Sequence, residues 1–338
     1  MRDWTNYVFL ICFIALFSAC GGEYEEKCEV IPDISNIDAQ IEFEHLGEVL
    51  VNGKSREEIQ AFARKYPVIA DYFLKRKQYP EEALFVNTLY KRFNNVHIDS
   101  LLQETKNVFG DYQELEAAFQ EAFSNFKYYY PNFKIPKIQT IVTGFETDMY
   151  ISDSLIIVGL DYYLGENSKY RPTNMFAYLR KKYQKEYIVP SCMLLYGINT
   201  NFNAQKPSDK TILADMMTYG KAFYFAKRMV PCTPDSIIIW YTDEEIKGIR
   251  KNQDVVWSHF VENELLYDTN HELKRKYIDE RPKTYEIGPK CPGRAGMWLG
   301  WEIVKTYMRK NPEVTLPDLM RIADPREIFN KANYKPDR

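Results

Sequence analysis

The chain has 338 residues, of which 45% are apolar and 27% charged, so its composition is that of a folded globular protein and excludes a mainly disordered chain. The formal net charge is -3 and the basic residues are dispersed, so the sequence predicts no surface for a nucleic acid. Aromatic residues make up 15% of the chain and fall largely at helical spacing. This spacing indicates core packing, with a carbohydrate-stacking surface as the alternative.

The N-terminus has the layout of a bacterial lipoprotein signal. Arg2 precedes an apolar run at residues 7–17 that is too short to span a bilayer comfortably, and two small residues then lead to Cys20. The ending FSAC resembles a lipobox, whose cysteine is acylated, with chains such as palmitate, and becomes the first residue. We predict a signal peptide at 1–19, a lipid anchor on Cys20 and a place in the cell envelope, at the outer membrane. A plain signal peptide with an unmodified cysteine is the alternative.

Residues 20–34 lack hydrophobic periodicity, which predicts a tether between the anchor and a single globular domain at 35–338. The cysteines that remain after Cys20 are Cys28, Cys192, Cys232 and Cys291. No two of them have the C-x-x-C spacing of a redox or zinc motif. Their pairing stays open, and free buried thiols are expected at least as readily as disulfides.

The first part of the domain is predicted to be helical after one short strand. Alternating apolar residues at 37–43 predict that strand. Ser55 and Glu58 form a capping box that starts a helix, and Pro80 is expected in the first turn of the next helix. The clearest helix covers residues 111–130. Its apolar stripe consists of Leu115, Phe119, Ala122 and Phe126.

Three short β-rich runs between residues 137 and 164, separated by Gly144 and Asp153, predict a small antiparallel sheet. Helices follow it. They are expected at about 171–186, 189–203 and 208–230, from a capping box at Thr242 and Glu245, and at about 254–267 and 293–308. The fold class predicted is α+β, mainly helical, with a small antiparallel sheet flanked by helices.

The segment NHELKRK at 270–276 begins as a zinc-peptidase motif does. An H-E-x-x-H helix needs a second histidine four residues after the first, and that position holds Arg275, whose guanidinium cannot ligate zinc. His271 and Glu272 therefore predict a solvated helix start rather than a metal site. The chain's four histidines are His45, His97, His259 and His271, and no two have paired spacing.

A second candidate site lies on the last long helix. Arg294, Trp298 and Trp301 recur at i, i+4 and i+7, so one helix face would present a cation and two indole rings beside Glu302. Stacking within the core is the first interpretation. A pocket, a glycan-binding surface or a partner surface is the alternative.

Five motifs follow one another in the C-terminal half. They are YGKAFYFAKRM at 219–229, WYTDEEI at 240–246, LLYDTNHELKRKYIDERP at 265–282, CPGRAGMWLGWEIVKTYM at 291–308 and IFNKANYKP at 328–336. As an ordered set they resemble the gliding motility lipoprotein family GldB of Bacteroidota. The resemblance implies a non-catalytic, lipid-anchored envelope protein that supports gliding and the associated type IX secretion machinery. It also implies envelope proteins as partners, the membrane as anchor and no cofactor.

That family in turn resembles predicted zinc peptidases, in which the sheet precedes an H-E-x-x-H helix and a later E-G-x-A segment supplies the third ligand. Here the corresponding helix at 189–198 contains no histidine or glutamate, and Tyr219 stands at the glutamate position. The resemblance implies a degenerate zincin-like architecture without metal or catalytic residues, with a zinc-dependent peptidase as the alternative. It also predicts that Tyr219 packs against the 189–198 helix, with Trp298 or Trp301 closing the vacated space.

Overall fold

The computed structural model describes residue 28, residues 32–173 and residues 175–336. The predicted signal peptide at 1–19, the anchor Cys20 and most of the tether lie outside the described residues. Among the described residues, no helix combines the length and hydrophobicity that crossing a membrane requires.

Helices dominate the fold, and one small sheet lies among them. The strands are β1 (Phe43–His45), β2 (Lys137–Ile141), β3 (Met149–Ile151) and β4 (Leu155–Gly159). The helices are α1 (Gly47–Val51), α2 (Arg56–Lys65), α3 (Glu82–Phe93), α4 (Ile98–Phe109), α5 (Gln113–Tyr129), α6 (Ala177–Arg180), α7 (Ile188–Ile198), α8 (Ile212–Met229), α9 (Asp235–Ile239), α10 (Asp243–Lys251), α11 (Gln253–Glu262), α12 (His271–Ile278), α13 (Ala295–Lys310), α14 (Leu316–Arg321) and α15 (Pro325–Ala332). The predicted mainly helical α+β class is confirmed.

The sheet is mixed, which corrects the predicted antiparallel pairing. Its strand order is β1-β2-β4-β3; β1 and β4 both run parallel to β2, and β3 alone is antiparallel, to β4. The physical reason is visible in β2 and β4, which are buried along nearly their whole length. Strands covered on both faces are typical of parallel pairing, whereas antiparallel sheets more often alternate between core and solvent. A strand was predicted at 37–43, and the observed strand is shorter and begins later, at Phe43–His45.

Two capping boxes in the sequence correctly predicted where helices begin. Both hydrogen bonds of the Ser55–Glu58 capping box are present, and so are those of the Thr242–Glu245 box that starts α10. Pro80 lies before the N-cap of α3 rather than in its first turn. The predicted stripe of α5 is buried, at Leu115, Phe119, Ala122 and Phe126.

The helix predicted at 171–186 is mostly absent. Among its described residues, the segment contains only α6 and the beginning of a short 3-10 turn at Lys185–Tyr187. Its end is held by tertiary contacts instead: Tyr183 donates to Asp148 at 2.6 Å, and Gln184 forms an isolated bridge with Leu164. The next predicted helix, 189–203, ends earlier, at Ile198.

A disulfide joins Cys28, in the predicted tether, to Cys232, which follows α8. Cys192 is a buried free thiol and Cys291 a half-buried one. The sequence left the cysteine pairing open, and the structure forms one disulfide. This bridge joins the N-terminal segment to a residue 204 positions later in the chain. Closing so long a loop restricts the unfolded chain and so favours the folded state.

Helices α8 and α13 approach each other closely at two glycines. A Cβ atom on Gly220 of α8 would lie 2.5 Å from the carbonyl oxygen of Gly300 on α13, and one on Gly300 would overlap the carbonyl oxygen of Met216. The crossing therefore requires glycine at both positions. Helix α7 approaches α8 in the same way, since a Cβ on Gly197 would lie 2.8 Å from the Ala222 carbonyl oxygen.

We expect Gly300→Ala to lower the free energy of unfolding by about 1–3 kcal/mol, because the added methyl group must push two backbones apart. Gly248→Ala on α10 is the matched control. Gly248 is exposed and has open space around its Cβ position, so this change should stabilise by about 0.5–1 kcal/mol through helix propensity. Urea unfolding of both variants checks the crossing; equal effects would contradict it.

Candidate functional site

The start of α13 gathers several charged and aromatic side chains around Arg294. Arg294 is the N-cap residue, with a left-handed backbone at φ 60°. Its guanidinium donates to the carbonyl oxygens of Ile239 at 2.6 Å and Trp240 at 3.2 Å, and lies 5.6 Å from the ring centre of Tyr241. Its Nε lies 3.1 Å from a carboxylate oxygen of Glu280. Arg294 is only 7% exposed, so this residue, which the sequence analysis singled out, stabilises the start of α13 through buried contacts.

Tyr219 reaches the same region from α8. The side chain is half-buried; burial and then the carboxylates of Asp215 and Asp279 raise the pKa of its phenol, while Arg294 opposes them. The ring thus lies near the end of α12 and the start of α13. The packing of Tyr219 against the 189–198 helix stays a prediction.

Trp298 and Trp301 do not join Arg294 on an open face. Both side chains are 0% exposed. The Trp301 ring centre lies 5.4 Å from that of Phe223, and the Lys305 amine lies 4.6 Å from the indole. The structure therefore places both indoles in the core, where they offer no surface to a glycan.

Glu302 belongs to a buried ion cluster at the other side of the α8–α13 contact. Its carboxylate lies 2.6 Å from Lys305, whose amine lies 3.3 Å from Asp235. Asp235 also pairs with Lys227 at 3.3 Å and with Arg250 at 2.6 Å. Burial alone would raise the pKa of Asp235, but the charges of Lys305, Lys227 and Arg250 outweigh burial and hold it below its ordinary value. The cluster ties α8, α9, α10 and α13 together.

Lys182 is a site residue that the sequence did not reveal. It lies in a run of basic residues that is typical of a solvated face, yet it is only 6% exposed. Its amine lies 5.5 Å from the ring centre of Tyr178. Burial, followed by the charge of Arg294, lowers the pKa of Lys182 to about 8 against the opposing charges of Glu280 and Glu245. No pattern in the sequence indicated that this lysine would turn inward.

The segment that begins like a zinc motif is a solvated helix start, as predicted. Asn270 caps α12 by accepting from the Leu273 backbone N–H at 3.1 Å. The His271 side chain is 81% exposed and that of Glu272 is 79% exposed. In the part of the chain that the structure describes, no group of three or more His, Cys, Asp or Glu side chains is placed to hold a metal ion.

A cleft of about 340 Å³ lies beside the disulfide. Its apolar wall includes Phe109, Leu115 and Val189, and its rim includes Cys232. Glu114, Glu121, Lys185 and Glu186 supply the charged part of the lining. None of the sequence-predicted site residues lines it.

The family model described as gliding motility protein GldB matches residues 27–336. The chain belongs to the GldB family. This membership confirms the resemblance carried by the C-terminal motifs, and it indicates an envelope lipoprotein associated with gliding motility. Comparison with curated proteins and with solved structures found no match. The more distant resemblance to zinc peptidases stays a prediction.

We expect Asp235→Asn to lower the free energy of unfolding by about 3–5 kcal/mol at neutral pH, because it leaves buried Lys227 and partly buried Lys305 without the carboxylate that they share. Asp235 has a depressed pKa in the folded state. The stability that the Asp235 carboxylate contributes is therefore present above the ordinary carboxyl pKa of about 3.9. It is lost as the pH falls through the lower pKa of the folded state. The variant should lose less stability than the parent on acidification.

Urea unfolding across the acidic range measures both effects. Asp99→Asn is the matched control, since Asp99 makes a surface pair with Lys54 at 3.5 Å and its side chain is 73% exposed. Surface pairs of this kind contribute little. If the two variants unfolded alike, the cluster would not hold the four helices together.

Proposed function

We propose that this GldB family member is a non-catalytic protein, anchored by lipid at the outer membrane, that supports gliding motility and the associated type IX secretion machinery through contacts with other envelope proteins. The observation that carries the proposal is a family match over residues 27–336 in a chain whose first residues have the layout of a lipoprotein signal.

The Cys28–Cys232 disulfide supports a location outside the cytoplasm. Structural disulfides form and persist in oxidising compartments and are rare where thiols are kept reduced. The bridge also lies close to the proposed anchor in sequence. The few residues from Cys20 to Cys28 span at most about 30 Å when fully extended, so an acylated Cys20 would hold the Cys232 side of the domain near the membrane.

The placement of the histidines supports a non-catalytic role. His45 contacts Thr140 at 2.9 Å and Glu116 at 2.8 Å, and His259 contacts the Tyr277 hydroxyl at 2.9 Å. His271 extends into solvent. The rings of His45 and His259 are engaged in separate local contacts, whereas a catalytic zinc needs about three protein ligands that converge and leave one position open.

The anchor is tested by Cys20→Ala, produced in a gliding strain that lacks its own family member. We expect the parent chain to incorporate labelled fatty acid and restore gliding, and the variant to do neither, because one acylated residue supplies the membrane attachment. Cys12→Ala is the matched control: this cysteine lies in the predicted signal peptide and its replacement should change neither result. Equal labelling of the Cys20 variant would overturn the anchor.

The non-catalytic role is tested separately by metal analysis of the purified full chain after dialysis, together with His271→Ala. We expect no stoichiometric zinc, and unchanged gliding in the variant because the imidazole is solvated. Zinc retained at one ion per chain, or peptidase activity lost on chelation, would replace the proposal with the zinc-peptidase alternative.

A further inference from the structure

One stretch of the chain carries cations without carboxylates. Between residues 169 and 185 the sequence contains no aspartate or glutamate, although the whole chain has a formal net charge of -3. The basic residues of the stretch are Lys169, Arg171, Arg180, Lys181, Lys182 and Lys185. Lys182 is buried, and Lys185 pairs with Glu114 at 2.6 Å. The other four are exposed or half-buried, so they give this part of the surface a positive charge.

A cavity of about 370 Å³ brings three of these cations together. Its lining includes Arg171, Arg180 and Lys181. The Lys181 amine lies 3.8 Å from the carboxylate of Glu166, an acidic residue of the same lining. Neither arginine pairs with a carboxylate within the described part of the chain. Guanidiniums without a counterion favour phosphate, because the planar group can donate two hydrogen bonds to one phosphate.

Aromatic side chains lie on the same surface. Three tyrosines line the cavity together with the cations. Phe176 follows Met175 and precedes Ala177, which both line the cavity, and it is 71% exposed. Basic residues beside an exposed aromatic ring are typical of segments that bind at a lipid interface, where the charges meet the headgroups and the ring enters the boundary with the acyl chains.

The surface also lies on the side of the domain that the proposed anchor would hold near the membrane. Lys185 lines the cleft beside Cys232, and Arg180 precedes it by five residues, so the two lie within about 18 Å of each other. Cys232 is bonded to Cys28, eight residues after Cys20. The inference rests on the proposed anchor for this nearness to the membrane.

We propose that this basic aromatic surface, which consists of Lys169, Arg171, Phe176, Arg180 and Lys181, docks on an anionic lipid surface. Lipid phosphates accept hydrogen bonds from the two guanidiniums and the Lys181 amine in the cavity. The Phe176 ring enters the headgroup region. The acyl chains on Cys20 attach the protein to the membrane, and the basic aromatic surface sets the orientation of its domain.

The test places a reporter at Phe176 in the protein purified from envelopes and reconstituted into vesicles. The fluorescence of Phe176→Trp is read as the difference from the parent chain. Brominated phosphatidylglycerol should quench it and brominated phosphatidylcholine should not, because only the first lipid is anionic. Added NaCl should reverse the quenching, since salt screens charges that are exposed to solvent.

Tyr267→Trp is the matched reporter at the other end of the domain. Tyr267 is 51% exposed, and the next residue, Asp268, accepts from the Ile212 backbone N–H at 2.9 Å, where α8 begins. Helix α8 has 18 residues and is therefore about 27 Å long, and Cys232 follows its other end. A tryptophan at 267 should be quenched by neither lipid.

Arg171→Glu and Arg180→Glu should each weaken the quenching at residue 176, and together they should abolish it. Lys210→Glu is the control for charge: Lys210 is exposed just before α8, and its variant should keep the full quenching. Quenching that is absent, equal in the two lipids or unchanged in the double variant would overturn the surface. Flotation with phosphatidylcholine vesicles tests the anchor separately, and every variant should float.

The two failures are therefore distinguishable. A chain that floats with phosphatidylcholine but is not quenched by brominated phosphatidylglycerol keeps the anchor and loses the surface. A chain that does not float with phosphatidylcholine contradicts the anchor. Phosphatidylglycerol vesicles then decide the surface alone: flotation with quenching at residue 176 supports it, and a chain that stays free overturns it.

Discussion

The backbone contact between Gly220 on α8 and Gly300 on α13 is the constraint on which the C-terminal half depends. Two helices approach this closely only where neither presents a side chain, because a Cβ on either would meet the other's backbone. The contact brings Trp301 against Phe223 in the core. It also places Arg294, at the start of α13, beside Glu280, which follows α12, while Lys305 further along α13 joins the ion cluster of Asp235.

The polar chemistry of the molecule is arranged around that contact, and most of it is structural. Asp235 has three cationic partners, and buried Lys221 donates to two backbone carbonyls. Buried polar groups that are fully paired hold elements in place and offer little to a ligand. Contacts with other molecules are therefore expected at the surface of the fold, such as the cleft beside Cys232.

Features set by local chemistry could be predicted from the sequence. The Ser55 and Thr242 capping boxes and the buried stripe of α5 depend only on residues a few positions apart, and they were found as expected. Features that join distant parts of the chain could not be predicted in this way. The parallel pairing of β1 with β2 depends on how the intervening helices cross, and the Cys28–Cys232 bridge joins residues that are 204 positions apart. Lys182 is buried by tertiary packing, which the run of basic residues around it does not indicate.

We infer that this GldB family domain is held outside the cytoplasm by an acylated Cys20 and is joined to its N-terminal segment by the Cys28–Cys232 bridge. Non-reducing mass spectrometry of the chain from native envelopes, digested at arginine, tests both parts at once. We expect a peptide of residues 20–56 that is acylated at its first residue and disulfide-linked to a peptide of residues 229–250. Unmodified Cys20 with residues upstream still attached, or free thiols at Cys28 and Cys232, would contradict it.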